Sequence, residues 1–220
     1  VAAGVREVVA IVLSPQYSPL LMDGYARAID AARVSIGPAA PDVVVAGEWW
    51  AEPPFLAALA GRVRRVLDGL PEGERQRVAV LLTAHSLPLR VAEQEPGYVG
   101  QLRATAEAIA TAAGLRRDEW WFAWQSAGHE PGAWMTPDLA DLVVELAAAG
   151  RTSVLVAPVQ FLADHLEVLY DIDVGAREQA ESRGVRFRRI ESLNADAELI
   201  EALAAVTAGT SAARVPVSNP

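Results

Sequence analysis

The chain has 220 residues, enough for one large or two small domains at about 150 residues each, and 52% of them are hydrophobic, so a sizeable core can be buried. It has no cysteine, which excludes disulfides, thiolate metal sites, Cys nucleophiles and thiolate-held iron–sulfur clusters. Its formal net charge of −9 repels nucleic acid and anionic membrane surfaces, so small ligands or cations are the expected partners.

The chain opens on Val1 rather than Met and moves at once into a buried-type run, Val8-Val9-Ala10-Ile11-Val12-Leu13, so a missing upstream segment is expected. No apolar run approaches the roughly 20 residues that span a bilayer, and no signal-peptide pattern precedes the first strand. A cytoplasmic location is the expectation.

In chain order, residues 7–13 read as a strand that runs into Pro15-Gln16-Tyr17-Ser18, followed by a helix over 20–36, a strand over 42–46 and a helix over 53–69. Gly69-Leu70-Pro71-Glu72-Gly73-Glu74 is a polar Gly/Pro break and the expected domain junction. A strand over 77–83 then enters Ala84-His85-Ser86-Leu87-Pro88, and a helix follows over 98–114. The strand over 119–124 ends in Gln125-Ser126, and His129 falls in a Gly/Pro-rich stretch read as solvated loop. A helix over 136–149, a strand over 153–157, a helix over 162–182, a strand over 185–190 and a helix over 195–206 complete the order. Residues 207–220 are small, polar and Pro-containing, and read as a mobile tail. Alternating strands and helices are the mark of βαβ units and parallel sheets. Leu13 to Pro19 echoes Leu82 to Pro88; duplication and chance likeness in an Ala-rich chain are both open explanations.

In open parallel sheets ligands bind at the carboxyl ends of the strands. Four strand ends here deliver polar side chains to one rim: Gln16 and Tyr17, His85 and Ser86, Gln125 and Ser126, then Gln160 with Asp164, His165 and Glu167. Helical spacing over 162–182 puts Asp164, Glu167 and Asp171 on one stripe, where like charges cost about 0.2–0.5 kcal/mol per pair. A cation offsets that cost, although a solvated face near a helix N-terminus has the same composition. His85 is either a turn histidine or a base or ligand; His165 shares a helix side with Leu169 and Ile172 and is read as a supporting side chain. The tryptophans suit either core or a flat aromatic ligand; Trp134, beyond the loop from Ser126, is assigned to the ligand. The chain has no phosphate loop, dinucleotide fingerprint, nucleophile elbow or H-E-x-x-H.

Five segments, taken together, are similar to the ferrochelatases: Pro15-Gln16-Tyr17-Ser18, Ala84-His85-Ser86-Leu87-Pro88, Trp124-Gln125-Ser126 with Trp134, Pro158 through Phe161, and Asp164-His165-Leu166-Glu167-Val168-Leu169-Tyr170-Asp171-Ile172-Asp173, with Ser192-Leu193-Asn194 after them. The resemblance covers about residues 5–206. It implies an α/β fold of two Rossmann-like, chelatase-type half-domains with parallel sheets flanked by helices. Residues 1–73 would be a truncated remnant of the first half, 74–206 the second with a returning C-terminal helix, and 207–220 a flexible tail. It further implies a lyase that inserts Fe2+ into protoporphyrin IX or coproporphyrin III in haem synthesis, with ferrous iron and porphyrin as substrates and no prosthetic group or iron–sulfur cluster. His85 and Glu167 would be the catalytic pair, facing each other across the macrocycle's metal site. His85, Glu167 and Asp171 would meet the metal, Tyr17, Gln125, Ser126 and Trp134 the porphyrin, and His165 would support them. His85 could serve as proton acceptor or as metal ligand. The family's further βα elements ahead of the P-Q-Y-S strand are absent here, and Gly175 stands where its acidic row often continues. A non-catalytic porphyrin- or metal-binding remnant, and a cobalt tetrapyrrole chelatase, are the alternatives.

Overall fold

The structure, a computed structural model, describes residues 4–128 and 131–212. The predicted strands are all present as β1 (Glu7–Ala10), β2 (Asp42–Val45), β3 (Val78–His85), β4 (Trp120–Gln125), β5 (Ser153–Pro158) and β6 (Arg186–Arg189). β1 and β2 pair in parallel as a two-stranded sheet, and the other four form a parallel sheet of order β4-β3-β5-β6. The helices are α1 (Pro19–Ile36), α2 (Pro53–Asp68), α3 (Glu72–Arg75), α4 (Leu89–Gln94), α5 (Pro96–Ala112), α6 (Leu139–Ala148), α7 (Arg177–Glu181) and α8 (Ala197–Ala212), with a short 3-10 turn at Gly37–Ala39 and a π-helix at Glu167–Ala176.

The apolar runs of β3 and β5 follow from a sheet covered on both faces. Alternate residues serve opposite layers. Val78, Val80, Leu82, Leu155 and Ala157 pack with α2, α5 and α8, while Ala79, Leu81, Val154 and Val156 pack with α6, the π-helix and α7. The same core on the first side takes in Ala46, Trp49 and Phe55. α2 therefore lies on the four-stranded sheet, although it precedes the Gly/Pro break in sequence. That break is itself structured: α3 lies within it and buries Glu74. The Glu74 carboxylate accepts from Ser153 Oγ at 2.8 Å and meets Arg186 at 3.1 Å and Arg188. Burial pushes its pKa up, but these partners outweigh it and hold it below the ordinary value.

Two expectations are corrected. Residues 207–212 belong to α8 rather than to a tail, and there the Thr207 and Thr210 hydroxyls, instead of breaking the helix, donate back to the Leu203 and Val206 carbonyls at 2.8 Å. Residues 213–220, and His129 with its loop neighbour 130, lie outside the described residues. The helix expected over 162–182 is replaced by the π-helix followed by α7, so an α-helical stripe of Asp164, Glu167 and Asp171 does not exist. Among the described residues no helix is long and apolar enough to cross a membrane.

Candidate active site at the strand ends

His85 is the last residue of β3, and its main chain is held from both neighbouring strands. On the β4 side Ser86 N–H donates to Gln125 O at 2.7 Å. On the β5 side the backbone ladder stops at Thr83 and Pro158, and the Gln160 side chain takes over, its Oε1 accepting from His85 N–H at 2.9 Å. The Gln160 Nε2 donates to Tyr98 Oη at 2.5 Å. Burial, with Glu95 adding to it, pushes the Tyr98 phenol up to about 12.

The His85 ring is oriented as well. Its Nδ1 lies 2.6 Å from the Ser86 carbonyl oxygen, which can only accept, so Nδ1 carries the hydrogen and the Nε2 lone pair is free. Nε2 stands 3.7 Å from Glu167 Oε2, at the first residue of the π-helix. Phe161 packs edge-on between the two histidines, 6.2 Å from the His85 ring and 4.3 Å from that of His165. His165 thus touches the wall behind His85 and not the pair itself.

The π-helix explains the fate of the acidic run. Its buried residues, Val168, Ile172 and Ala176, recur every four positions and so share one face. Glu167, Asp171 and Gly175 form the adjacent row. Asp164 lies before the helix and accepts from Ser192 Oγ (2.8 Å), Asn194 Nδ2 (3.2 Å) and Arg189 (3.2 Å). Burial raises its pKa, but these donors prevail and it sits below the usual carboxylate range. Asp173 takes Arg189 in a two-pronged pair at 2.9 Å each. Asp164 and Asp173 are therefore ties between the π-helix and the strand-β6 side.

Three cavities surround the strand ends. The first, of about 320 Å³, is lined by Ser18, Leu20, His85, Leu87, Val91, Glu95, Tyr98, Gln160 and Phe161. The second, of about 360 Å³, holds Gln125, Ser126, Asp138, Tyr170 and Asp171 among its walls. The third, of about 280 Å³, lies between Pro88, Arg90 and Trp134. The strand-end residues expected on one rim are distributed over separate cavities. Tyr17 does not line the His85 cavity; it is fixed to α5 through its N–H to Gln101 Oε1 at 2.7 Å, beside buried Gln16, whose Nε2 donates to Thr105 Oγ1 at 3.1 Å. Gln125 is 2% exposed and accepts from Thr83 Oγ1, and Ser126 adopts φ +58°, leaving its buried hydroxyl and Gln125 Nε2 without hydrogen-bond partners. Trp134 is seated by main-chain pairing of its loop with 87–89 and by Gly128, where a Cβ would stand 2.9 Å from the indole.

His85 and Glu167 approach each other at one site. A flat ring between them needs two van der Waals contacts of about 3.5–4.0 Å each, and only 3.7 Å is present. The two stand side by side. Two electron-pair donors at that gap hold room for a proton or one cation. Among the described residues no group of three or more His, Asp or Glu side chains is arranged for a metal ion, since Asp171 opens onto the second cavity. Sequence reading assigned no role to Tyr98, Phe161 or Leu87, whose apolar character signals only core.

The ferrochelatase family model matches residues 1–210. A coproporphyrin III ferrochelatase of Geobacillus thermodenitrificans is 40% identical over 206 residues, which are 93% of this chain and 64% of the relative. A ferrochelatase of Deinococcus radiodurans is 38% identical over 203 residues, 92% of this chain and 64% of the relative. The chain thus spans 64% of the length of these relatives. SirB from Bacillus subtilis, in a structure with Fe3+, shares the fold at a TM-score of 0.67 and 13% identity, over 96% of this chain and 74% of that one. With the family model matched over 210 residues and the His85–Glu167 pair brought together at the strand ends, this chain belongs to the ferrochelatase family.

Proposed function

We propose that the chain is a porphyrin chelatase inserting Fe2+ into coproporphyrin III or protoporphyrin IX, a step of haem synthesis. The observation that carries this reading is the 3.7 Å gap between His85 Nε2 and Glu167 Oε2 at the edge of an apolar cavity. Family membership and the names its relatives carry support the reaction and the substrate class.

Insertion releases two pyrrole protons for each divalent ion that enters the macrocycle. His85 Nε2 takes one of them, and Glu167, beside it, accepts a second or presents the ion. His85 Nε2 and Glu167 Oε2 are the two donors that would hold the incoming ion. Apolar walls border the site on the His85 side while Glu167 is half exposed, so the ion would exchange part of its hydration for these two donors. Asp171, next in the same row of the π-helix, receives the ion from the second cavity. Gln125, Ser126, Trp134 and Tyr17 are the porphyrin contacts in this reading, and residues 1–73 and 74–206 its two half-domains. Iron and porphyrin are substrates, no prosthetic group takes part, and a chain without cysteine has no thiolates for an iron–sulfur cluster. The reaction is placed in the cytoplasm.

Zinc insertion into each porphyrin, followed by the shift of its main absorbance band, tests the reading with the purified chain. Turnover that falls by about 10²-fold or more in His85→Ala is expected. Porphyrin binding by the wild type with no metallation overturns it in favour of a binding module.

A further inference from the structure

The side chain of Gln160 occupies a position that main chain would fill in a longer ladder. β3 and β5 are paired up to Thr83 and Pro158, and Val159 N–H still donates to Thr83 O at 2.9 Å. Beyond that point the chain turns away, and the bond due to His85 N–H is made by an amide side chain. The other end of that amide is anchored on Tyr98, a phenol 5% exposed and held protonated by burial. Because Gln160 Oε1 accepts from His85, its Nε2 must be the donor to Tyr98, so the amide orientation is fixed at both ends. The next residue, Phe161, packs on the His85 ring. One dipeptide thus holds the backbone and the imidazole of the same histidine.

We propose that Gln160 is a positioning residue for metal insertion: braced on Tyr98, it fixes the main chain of His85 so that Nε2 keeps its place beside Glu167. This rests on the chelatase reading, and the hydrogen bonds that support it do not. Glu95 also lines the cavity and Glu167 stands beside the His85 ring, but among the described residues only Gln160 bonds to the His85 N–H on the β5 side.

Gln160→Met keeps volume and removes the acceptor; Gln160→Glu keeps an acceptor for His85 N–H, and the Tyr98 hydroxyl can rotate to donate to it. The two are compared with wild type in zinc insertion and in amide hydrogen exchange at His85. Gln160→Met is expected to lower kcat on the order of tenfold to hundredfold, with KM for porphyrin within about threefold of wild type. Its His85 amide should exchange faster. Gln160→Glu should recover most of kcat and the slow exchange. Wild-type kcat and exchange in Gln160→Met overturn the proposal, and so does a Gln160→Glu variant as impaired as Gln160→Met. If wild type inserts no metal, the functional reading falls while the exchange rates still decide whether Gln160 holds His85.

Discussion

His85 reaches its cavity with one ring nitrogen and its main-chain N–H both engaged, which leaves Nε2 as the atom free for chemistry. Glu167, by contrast, is half exposed and has no fixed donor among the contacts described above, so its position depends on the π-helix that carries it. The nearby acids behave differently because they are tied. Asp164 is held below its ordinary pKa by Ser192, Asn194 and Arg189, against the upward push of burial. A depressed native pKa contributes stability that is complete above the unfolded value, near 3.9 for Asp, and is lost as pH falls through the native value. The wild type should therefore lose stability on acidification below about pH 5, and Asp164→Asn should lose less over the same window in urea denaturation at stepped pH. Equal slopes would mean that Asp164 is not tied. The motif residues His85 and Glu167 were legible in sequence because their chemistry is rare in so short a span. Gln160 was legible only as a polar residue at a strand end, and Tyr98 not at all, since an amide and a phenol at strand and helix ends have many ordinary uses.

At the scale of elements, the π-helix is the main departure from expectation. The run 167–176 has an amphipathic pattern that an α-helix also satisfies, since Val168, Ile172 and Ala176 at four-residue spacing share a face in either helix. α spacing through 164–171 puts Asp164 on the stripe of Glu167 and Asp171, whereas in the structure Asp164 lies before the helix. Gly175 has ordinary φ, and a Cβ there would lie 3.7 Å from the Tyr170 carbonyl oxygen, a normal contact. Gly175→Ala should stabilise the protein by about 0.5–1 kcal/mol, through the lower entropy cost of alanine in a helix. Gly175→Glu should gain less, by about 0.2–0.5 kcal/mol, because its charge faces Asp171 one turn earlier. Denaturation midpoints separate the two, and a destabilised Gly175→Ala would show that the π geometry itself requires glycine. α8 was read short for a related reason: Thr207, Gly209 and Thr210 look like breakers, yet the threonine hydroxyls bond back into the helix.

Across the whole molecule, the alternation of strands and helices made the parallel architecture legible, since βαβ order leaves few other arrangements. The grouping of elements was less so. Linear order puts α2 before the Gly/Pro break, whereas burial of Phe55, Leu59 and Val63 puts it on the four-stranded sheet with α8. Arg62 fastens that pairing. Its side chain is 3% exposed and bonds Asp196, with Glu198 at 3.8 Å, but its Nε and one terminal nitrogen have no hydrogen-bond partner among the described residues. The two acids, at 53% and 45% exposure, are half in water. The pair is therefore asymmetric: the cation bears the desolvation, and the carboxylates can be solvated without it. Arg62→Met should change stability by less than about 1 kcal/mol in either direction, because it removes the incompletely bonded cation and keeps apolar volume. Asp196→Asn preserves the shape at the start of α8 and strands the buried guanidinium, and should cost about 1–3 kcal/mol. The double variant should resemble Arg62→Met alone, since Asp196 has nothing left to satisfy. Urea denaturation of the three variants decides between the two roles. A loss of several kcal/mol in Arg62→Met, or additive losses in the double variant, would show that Arg62 holds α2 and α8 together through its packing and not through its charge.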